Sequence, residues 1–262
     1  MTLSYIIILS FVQGLTEFLP ISSSGHLVLV PHFLGQADQG ILMDVALHMG
    51  TMTAIIIYYW RDVWAIARDV LCWKPTPQRE LGIYIALGTI PAVLFGAFIH
   101  FVFPDGIRSI EVIAATTIIF GILMGVADYI GPRTLTISNM TLKKALLIGL
   151  AQAVALIPGT SRSGITMTAA RFLGFDRVDA AKFSFLLGIP AMAAAGCLSF
   201  LDVFESGDAG LLTDAAWAIF FAFLAGLAAI HFMMKFLPRF GLLPFVVYRL
   251  FLGAFLLAWF VF

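Results

Sequence analysis

Apolar residues run along this chain in long stretches broken by short polar knots, and they do not alternate with polar ones. Six stretches, 44–60, 81–103, 112–129, 183–201, 215–234 and 243–262, read as helical crossings of a bilayer. Several approach the roughly 20 residues that span a hydrocarbon core. None shows the ten-residue alternation of an outer-membrane barrel strand. Two further apolar stretches, 1–35 and 145–174, differ in kind. Each has serines, prolines and glycines in its middle, so neither reads as a simple crossing.

Composition makes the membrane assignment firm. The chain is 61% hydrophobic and only 11% charged, with a mean hydropathy of +1.01. A soluble domain carries about 25% charged residues, so this chain cannot cover a water-facing surface. The expected class is an all-α integral membrane protein, one membrane domain over 1–262. Fifteen basic and fifteen acidic residues leave no net charge and nothing to attract nucleic acid. Cys72 and Cys197 fit no metal-binding spacing and are expected to be packing residues. No Lys or Arg precedes the first apolar run, so no signal peptide is expected and the N-terminus should be retained.

The basic residues orient the crossings. Loops 61–80 (Arg61, Arg68, Lys74, Arg79), 131–144 (Arg133, Lys143, Lys144) and 235–242 (Lys235, Arg239) should be cytoplasmic. Loop 202–214, with Asp202, Glu205, Asp208 and Asp214, and loop 104–111, with only Arg108, should be external; this is the positive-inside rule. With Arg177 and Lys182 also inside, 145–174 must enter and leave on one face, as a re-entrant helical hairpin. Stretch 1–35 is then the mirror case, entering from outside.

The two hairpins also match in sequence. Gln13, Gly25 and the triplet Phe33-Leu34-Gly35 stand at one common offset from Gln152, Gly164 and Phe172-Leu173-Gly174. This predicts an inverted-topology repeat, about 1–130 and 140–262, each half a re-entrant hairpin plus three transmembrane helices. Broken helices in such repeats meet near the midplane and present helix N-termini to anions.

The chemistry lies at the two tips. Gln13 and Glu17 share a helical face, and Glu17 is the only acid before Asp38. Buried, it needs a cation, an arginine or a proton, so it reads as metal ligand or general base, or as a structural partner of Arg162. Ser22, Ser23 and Ser24 offer nucleophilic or phosphate-binding hydroxyls, or helix caps. His26 suits acid, base or nucleophile. Arg162, between Ser161 and Ser163, matches phosphate oxygens with its planar fork, and Thr166 adds a hydroxyl there or packs. Asp44 is a further candidate metal ligand. His32, His48, His100 and His231 are expected to be ordinary packing histidines, and Arg249 a structural residue snorkelling to the cytoplasmic interface. An acid, hydroxyls, an imidazole and an arginine suit phosphoryl transfer with a divalent cation. The apolar setting implies a substrate with an apolar body, such as a lipid phosphate or pyrophosphate.

The strings Gln13-Gly-Leu-Thr-Glu17-Phe-Leu-Pro20-Ile-Ser-Ser-Ser-Gly-His26 and Pro158-Gly-Thr-Ser-Arg162-Ser-Gly-Ile-Thr166 resemble the two signature motifs of the bacterial undecaprenyl-diphosphatase (bacitracin-resistance protein) family. The likeness extends to Phe183-Ser-Phe-Leu-Leu and Pro244-Phe-Val-Val-Tyr-Arg249. It implies hydrolysis of undecaprenyl pyrophosphate to undecaprenyl phosphate and inorganic phosphate, recycling the lipid carrier of peptidoglycan synthesis and conferring bacitracin resistance. It further implies Mg2+ or Ca2+, a bacterial inner-membrane location with a periplasm-facing site, and a polyprenyl pyrophosphate as partner; a homodimer stays open. By the same resemblance Glu17, Ser23, His26 and Arg162 are catalytic. The resemblance also makes Arg162 the phosphate-binding arginine and gives Gln13 and Glu17 the metal-binding positions; from the residues themselves Ser22, Ser24, Ser161, Ser163 and Thr166 are further candidate phosphate binders, and Asp44 is a candidate to complete the metal shell. Gln13 departs from the glutamate common in the family and adds an oxygen ligand without charge. The competing reading is a membrane transporter or lipid-phosphate flippase using the same cavity, since inverted repeats are also transporter architecture.

Overall fold

The computed structural model describes residues 1–102, 109–206 and 209–260, without the side chains of 100, 197–206, 209 and 260. The described residues form mainly α-helices: α1 (Leu3–Phe18), α2 (Ser23–Leu34), α3 (Gly40–Tyr58), α4 (Trp60–Leu71), α5 (Pro77–Val102), α6 (Ile110–Ile130), α7 (Leu142–Val154), α8 (Arg162–Phe172), α9 (Arg177–Ser206), α10 (Ala209–Phe240) and α11 (Leu243–Phe260). Five contain apolar spans long enough to cross a bilayer: Gly40–Tyr58, Pro77–Ile99, Ile110–Ile130, Arg177–Gly196 and Gly210–Phe240. These correspond to five of the six expected crossings. The sixth, α11, falls among the shorter apolar helices in its described part.

Several expected loops are helical. Residues 60–71 form α4, because Val63 and Ile66 face the core while Arg61, Trp64 and Arg68 face outward, an amphipathic period that a charge count alone reads as loop. Its end is tied to the next turn, where the buried Asp69 accepts from Arg68 Nε and Thr76 Oγ1, both at 2.8 Å. Lys235 and Arg239 lie inside α10, leaving little more than Gly241 and Leu242 between α10 and α11. On the expected external side, 202–206 and 209–214 belong to helices α9 and α10. The side chains of Asp202, Glu205, Asp208, Arg108, Cys197 and His100 lie outside the described residues. Cys72 is exposed at the C-terminus of α4, a correction to its expected packing role: the helix ends there on a polar turn.

Both polar-centred stretches are helical hairpins whose ends lie side by side. Tyr5 Oη, near the start of α1, donates to the Ala37 carbonyl just past α2 (3.3 Å). Before α7 and after α8, Thr134 and Leu135 donate to the Gly174 carbonyl, and Asp176 N–H donates back to Leu135. The first hairpin therefore opens where α3 begins. The second opens where α3 ends, since Lys182 at the start of α9 reaches Asp62 at 2.8 Å and lies over Tyr59. The N-terminal ammonium pairs with Asp214 at 2.6 Å, pinning α1 to the start of α10. Helix α1 packs along α10 as α7 packs along α5, and small residues make both seams close. A Cβ on Gly14 would meet Ala225, and one on Gly149 would meet the Gly88 backbone. Close backbone approach of this kind holds helices together where lipid removes the hydrophobic drive between them.

Candidate active site

The two hairpin turns have the same local construction. Ser22 and Ser161 sit at φ 74° and 72°, where a non-glycine residue costs about 1–3 kcal/mol, and each accepts through its Oγ from the N–H of the glycine three residues on. Ser24 and Ser163 stand at the same place in each turn, 3.3 Å from that capping hydroxyl. Capping thus occupies two of the serines read as phosphate binders. Ser163 ties the tips together instead, with its hydroxyl 3.1 Å from the Glu17 carbonyl and 3.3 Å from that of Leu19. Ser24 is exposed.

Arg249 holds the turns from the side. It is fully buried, and its guanidinium donates to the carbonyls of Thr117, Pro20, Thr160, Thr116 and Gly159 at 2.9–3.4 Å. The expectation that it snorkels to an interface is therefore corrected. Broken helices leave carbonyls without helical partners at depth, and a forked cation with five N–H groups satisfies several of them at once. Thr116 and Thr117 donate to Pro158 and Gly159 from α6. Gly159, at φ 84°, must lack a side chain here, because a Cβ would run into Thr116 and the Ile113 backbone.

Glu17 is the hub. Its buried carboxylate receives Arg162 Nη2 on Oε1 (2.9 Å), and on Oε2 it receives Ser23 Oγ (2.6 Å) and Gln13 Nε2 (3.1 Å). One carboxylate of the first hairpin thus joins the candidate nucleophile of its own tip to the arginine of the other. The opposite edge of Arg162 donates to the Ser184 carbonyl on α9 (3.0 Å). Its guanidinium lies so close against α9 that any side chain at Gly188 would overlap it. Among the described residues Arg162 Nε is buried without a hydrogen-bond partner. Thr166 lies fully buried below, sharing a 2.6 Å bond with Ser184 Oγ and donating to the Arg162 carbonyl (2.7 Å), so it braces the arginine.

His26 is held at both nitrogens, Nδ1 at 2.7 Å from the Ser22 carbonyl and Nε2 at 2.6 Å from Tyr248 Oη. A carbonyl can only accept, so Nδ1 carries the proton in the neutral ring and Tyr248 donates to Nε2. Asp44 accepts from Gln39 Nε2 at 2.6 Å through its carboxylate. What reaches Glu17 from α3 is His48, whose Nε2 lies 3.5 Å from Oε2. The packing role expected of His48 is therefore corrected, while His32 and His231 make ring contacts with Phe33 and Tyr58. Tyr248 and Ser184 were also missed. His48 sits one turn from Asp44 on a polar face of α3, a spacing that could have raised it, and Tyr248 precedes the buried Arg249. No group of three His, Cys, Asp or Glu gathers as a metal cluster among the described residues.

Comparison with known proteins places this geometry. The family described as bacitracin resistance protein BacA matches residues 6–255. The chain is similar to an undecaprenyl-diphosphatase of Ruegeria pomeroyi, 46% identical over 266 residues and covering 98% of each chain. An undecaprenyl-diphosphatase of Chromohalobacter salexigens is 46% identical over 259 residues, covering 97% of this chain and 98% of its own. One from Alteromonas mediterranea is 46% identical over 273 residues and covers 100% of both.

Proposed function

We propose that this chain, which belongs to the bacitracin resistance protein BacA family, hydrolyses undecaprenyl pyrophosphate to undecaprenyl phosphate and inorganic phosphate within the membrane. The observation that carries the reading is the Glu17 carboxylate, with Ser23 Oγ at 2.6 Å and Arg162 Nη2 at 2.9 Å. A hydroxyl already donating to a carboxylate is an activated nucleophile, and a guanidinium beside it is a phosphate clamp. The named relatives are phosphatases, and no such support exists for transport.

Ser23 attacks the terminal phosphorus while its proton passes to the Glu17 carboxylate. The bond from that phosphorus to the bridging oxygen breaks, and polyprenyl phosphate leaves. Water then attacks the phosphoserine, and its proton passes through the Tyr248 hydroxyl to His26 Nε2, the ring nitrogen with the lone pair. Ser23 regains its proton from Glu17 as inorganic phosphate departs. Arg162 spans the phosphate oxygens throughout, its position fixed by Ser184 and Thr166. His26 is less suited to attack, because its one nucleophilic nitrogen is covered by Tyr248.

A divalent cation, Mg2+ or Ca2+, fits this site. Gln13, whose Nε2 lies against the Glu17 carboxylate, is fully buried, and its Oε1 has no hydrogen-bond partner among the described residues. Few protein oxygens completed by substrate phosphates is how Mg2+ is commonly held. The ion would neutralise phosphate charge; Gln13 and Glu17 would hold it. The inverted arrangement, with the first hairpin opening to the periplasm of the inner membrane, is supported by the hairpins opening at opposite ends of α3 and by the basic residues near one of them.

The test is phosphate release from a prenyl pyrophosphate by purified chain in detergent. Glu17→Ala and Arg162→Ala should each lower kcat/KM about a hundredfold or more. Near-normal turnover in either folded variant would overturn the site.

A further inference from the structure

His48 lies outside both signature motifs, and its geometry is specific. Its Nδ1 lies 2.7 Å from the Asp44 main-chain carbonyl, one turn back along α3. That oxygen can only accept, so Nδ1 carries the proton and the lone pair of the neutral ring is on Nε2. Nε2 in turn points at Glu17 Oε2 from 3.5 Å, with the histidine side chain only 30% exposed. Two lone pairs facing each other repel unless something positive lies between them.

A second observation comes from the other helix. Gln13, one turn before Glu17 on α1, is fully buried, and its Oε1 has no hydrogen-bond partner among the described residues. A buried acceptor left unpaired costs roughly 1–3 kcal/mol, so a group that satisfies it is expected. Gln13 from α1 and His48 from α3 therefore both reach Glu17 Oε2, which already accepts from Ser23 Oγ and Gln13 Nε2, and each brings a further acceptor, Oε1 and Nε2, on the side chain that makes the approach. Adjacent ligands of an octahedral ion, each about 2.1 Å from it, stand about 3 Å apart. The observed 3.5 Å leaves room for such an ion with little movement.

We infer that His48 is the third protein ligand of the divalent cation, with Glu17 and Gln13, and that its imidazole supplies the donor that this chain's Gln13 provides only weakly. The inference rests on the cation reading proposed above and sharpens it. A nitrogen in the set favours Mn2+ and similar ions over Ca2+, which takes oxygen ligands. The Asp44 carbonyl then has a role its carboxylate does not: it fixes the histidine tautomer, as the outer contacts of metal-bound histidines do.

The probe is Mn2+ alone, bound to the full chain in detergent and read by electron spin echo envelope modulation. Nitrogen modulation is expected in the wild type, and it should change to the 15N pattern when histidine is 15N-labelled. H48Q should lose it while H26Q keeps it. The same H48Q should weaken Mn2+ about tenfold or more and leave Ca2+ affinity nearly unchanged, with an unaltered melting temperature. Mn2+ bound without nitrogen modulation, or modulation that survives in H48Q, overturns the assignment and makes His48 an imidazolium partner of Glu17. Phosphate release that persists in EDTA, together with no Mn2+ binding, overturns the cation reading itself and this inference with it. The two failures are separately visible.

Discussion

At the scale of single residues, the site depends on buried polar groups that satisfy one another across the two hairpin tips. Arg162 shows the logic most sharply, since one edge bonds Glu17 and the other the Ser184 carbonyl. Lysine keeps the charge but loses the fork. Arg162→Lys should therefore lower kcat/KM about a hundredfold, nearly 3 kcal/mol at 1.36 kcal/mol per tenfold, with little change in melting temperature; phosphate release and thermal melting in detergent check both parts. Arg249 is the opposite case. Its five carbonyl partners, Pro20 and Gly159 among them, are backbone, and none is a reacting group. Arg249→Met should unpair those carbonyls at roughly 1–3 kcal/mol for each one left dry. The loss should appear first as a lower melting temperature and only through that as lost turnover. A melting temperature equal to wild type would show that water or lipid headgroups replace the guanidinium freely.

At the scale of elements, helices here are positioned by what their neighbours lack. Helix α9 receives the Arg162 guanidinium because Gly188 has no side chain, so Gly188→Ala should displace the arginine and depress activity while leaving the helix intact. Circular dichroism and phosphate release separate the two effects. Helix α4 is anchored differently, by Asp69. Its carboxyl is held below the usual carboxylate range chiefly by the Arg68 hydrogen bond, then by the Thr76 hydroxyl, against the opposing effect of burial. A lowered folded pKa gives stability that is present above the unfolded value near 4 and is lost as pH falls through the lower folded one. Amide protection at residues 72, 73, 74 and 76, taken relative to the intrinsic exchange rate at each pH, should therefore be flat from neutral pH down to about 5 and fall below about 4. Asp69→Asn should remove that dependence.

At the scale of the whole molecule, two hairpins that open at opposite ends of the helix bundle bring their broken turns together inside it. If the end near Arg61 and Lys182 is cytoplasmic, the exposed Cys72 lies there too. In a Cys197→Ala background, a membrane-impermeant maleimide should label Cys72 in inverted vesicles and not in intact spheroplasts; labelling from outside would reverse the proposed topology. Much of this architecture is legible in the sequence. Apolar runs without barrel alternation determine helices because lipid leaves only helices and closed barrels to satisfy a backbone, and Gly and Pro in the middle of 1–35 and 145–174 mark the breaks. The motif residues Glu17, Ser23, His26 and Arg162 are likewise visible, since a buried charge or imidazole needs a reason. Three things depended on the fold. α4 was hidden because charge spacing alone does not distinguish a loop from an amphipathic helix on a membrane surface. His48 and Tyr248 were hidden because their significance is a contact with Glu17 or His26, set by how α3 and α11 pack; the spacing from Asp44 and the adjacency to Arg249 point to the residues but not to those contacts. The division of labour among the serines was decided last, by backbone torsion: at φ 74° and 72° Ser22 and Ser161 turn their hydroxyls back to cap a helix, and Ser23, one residue on, is left facing the acid.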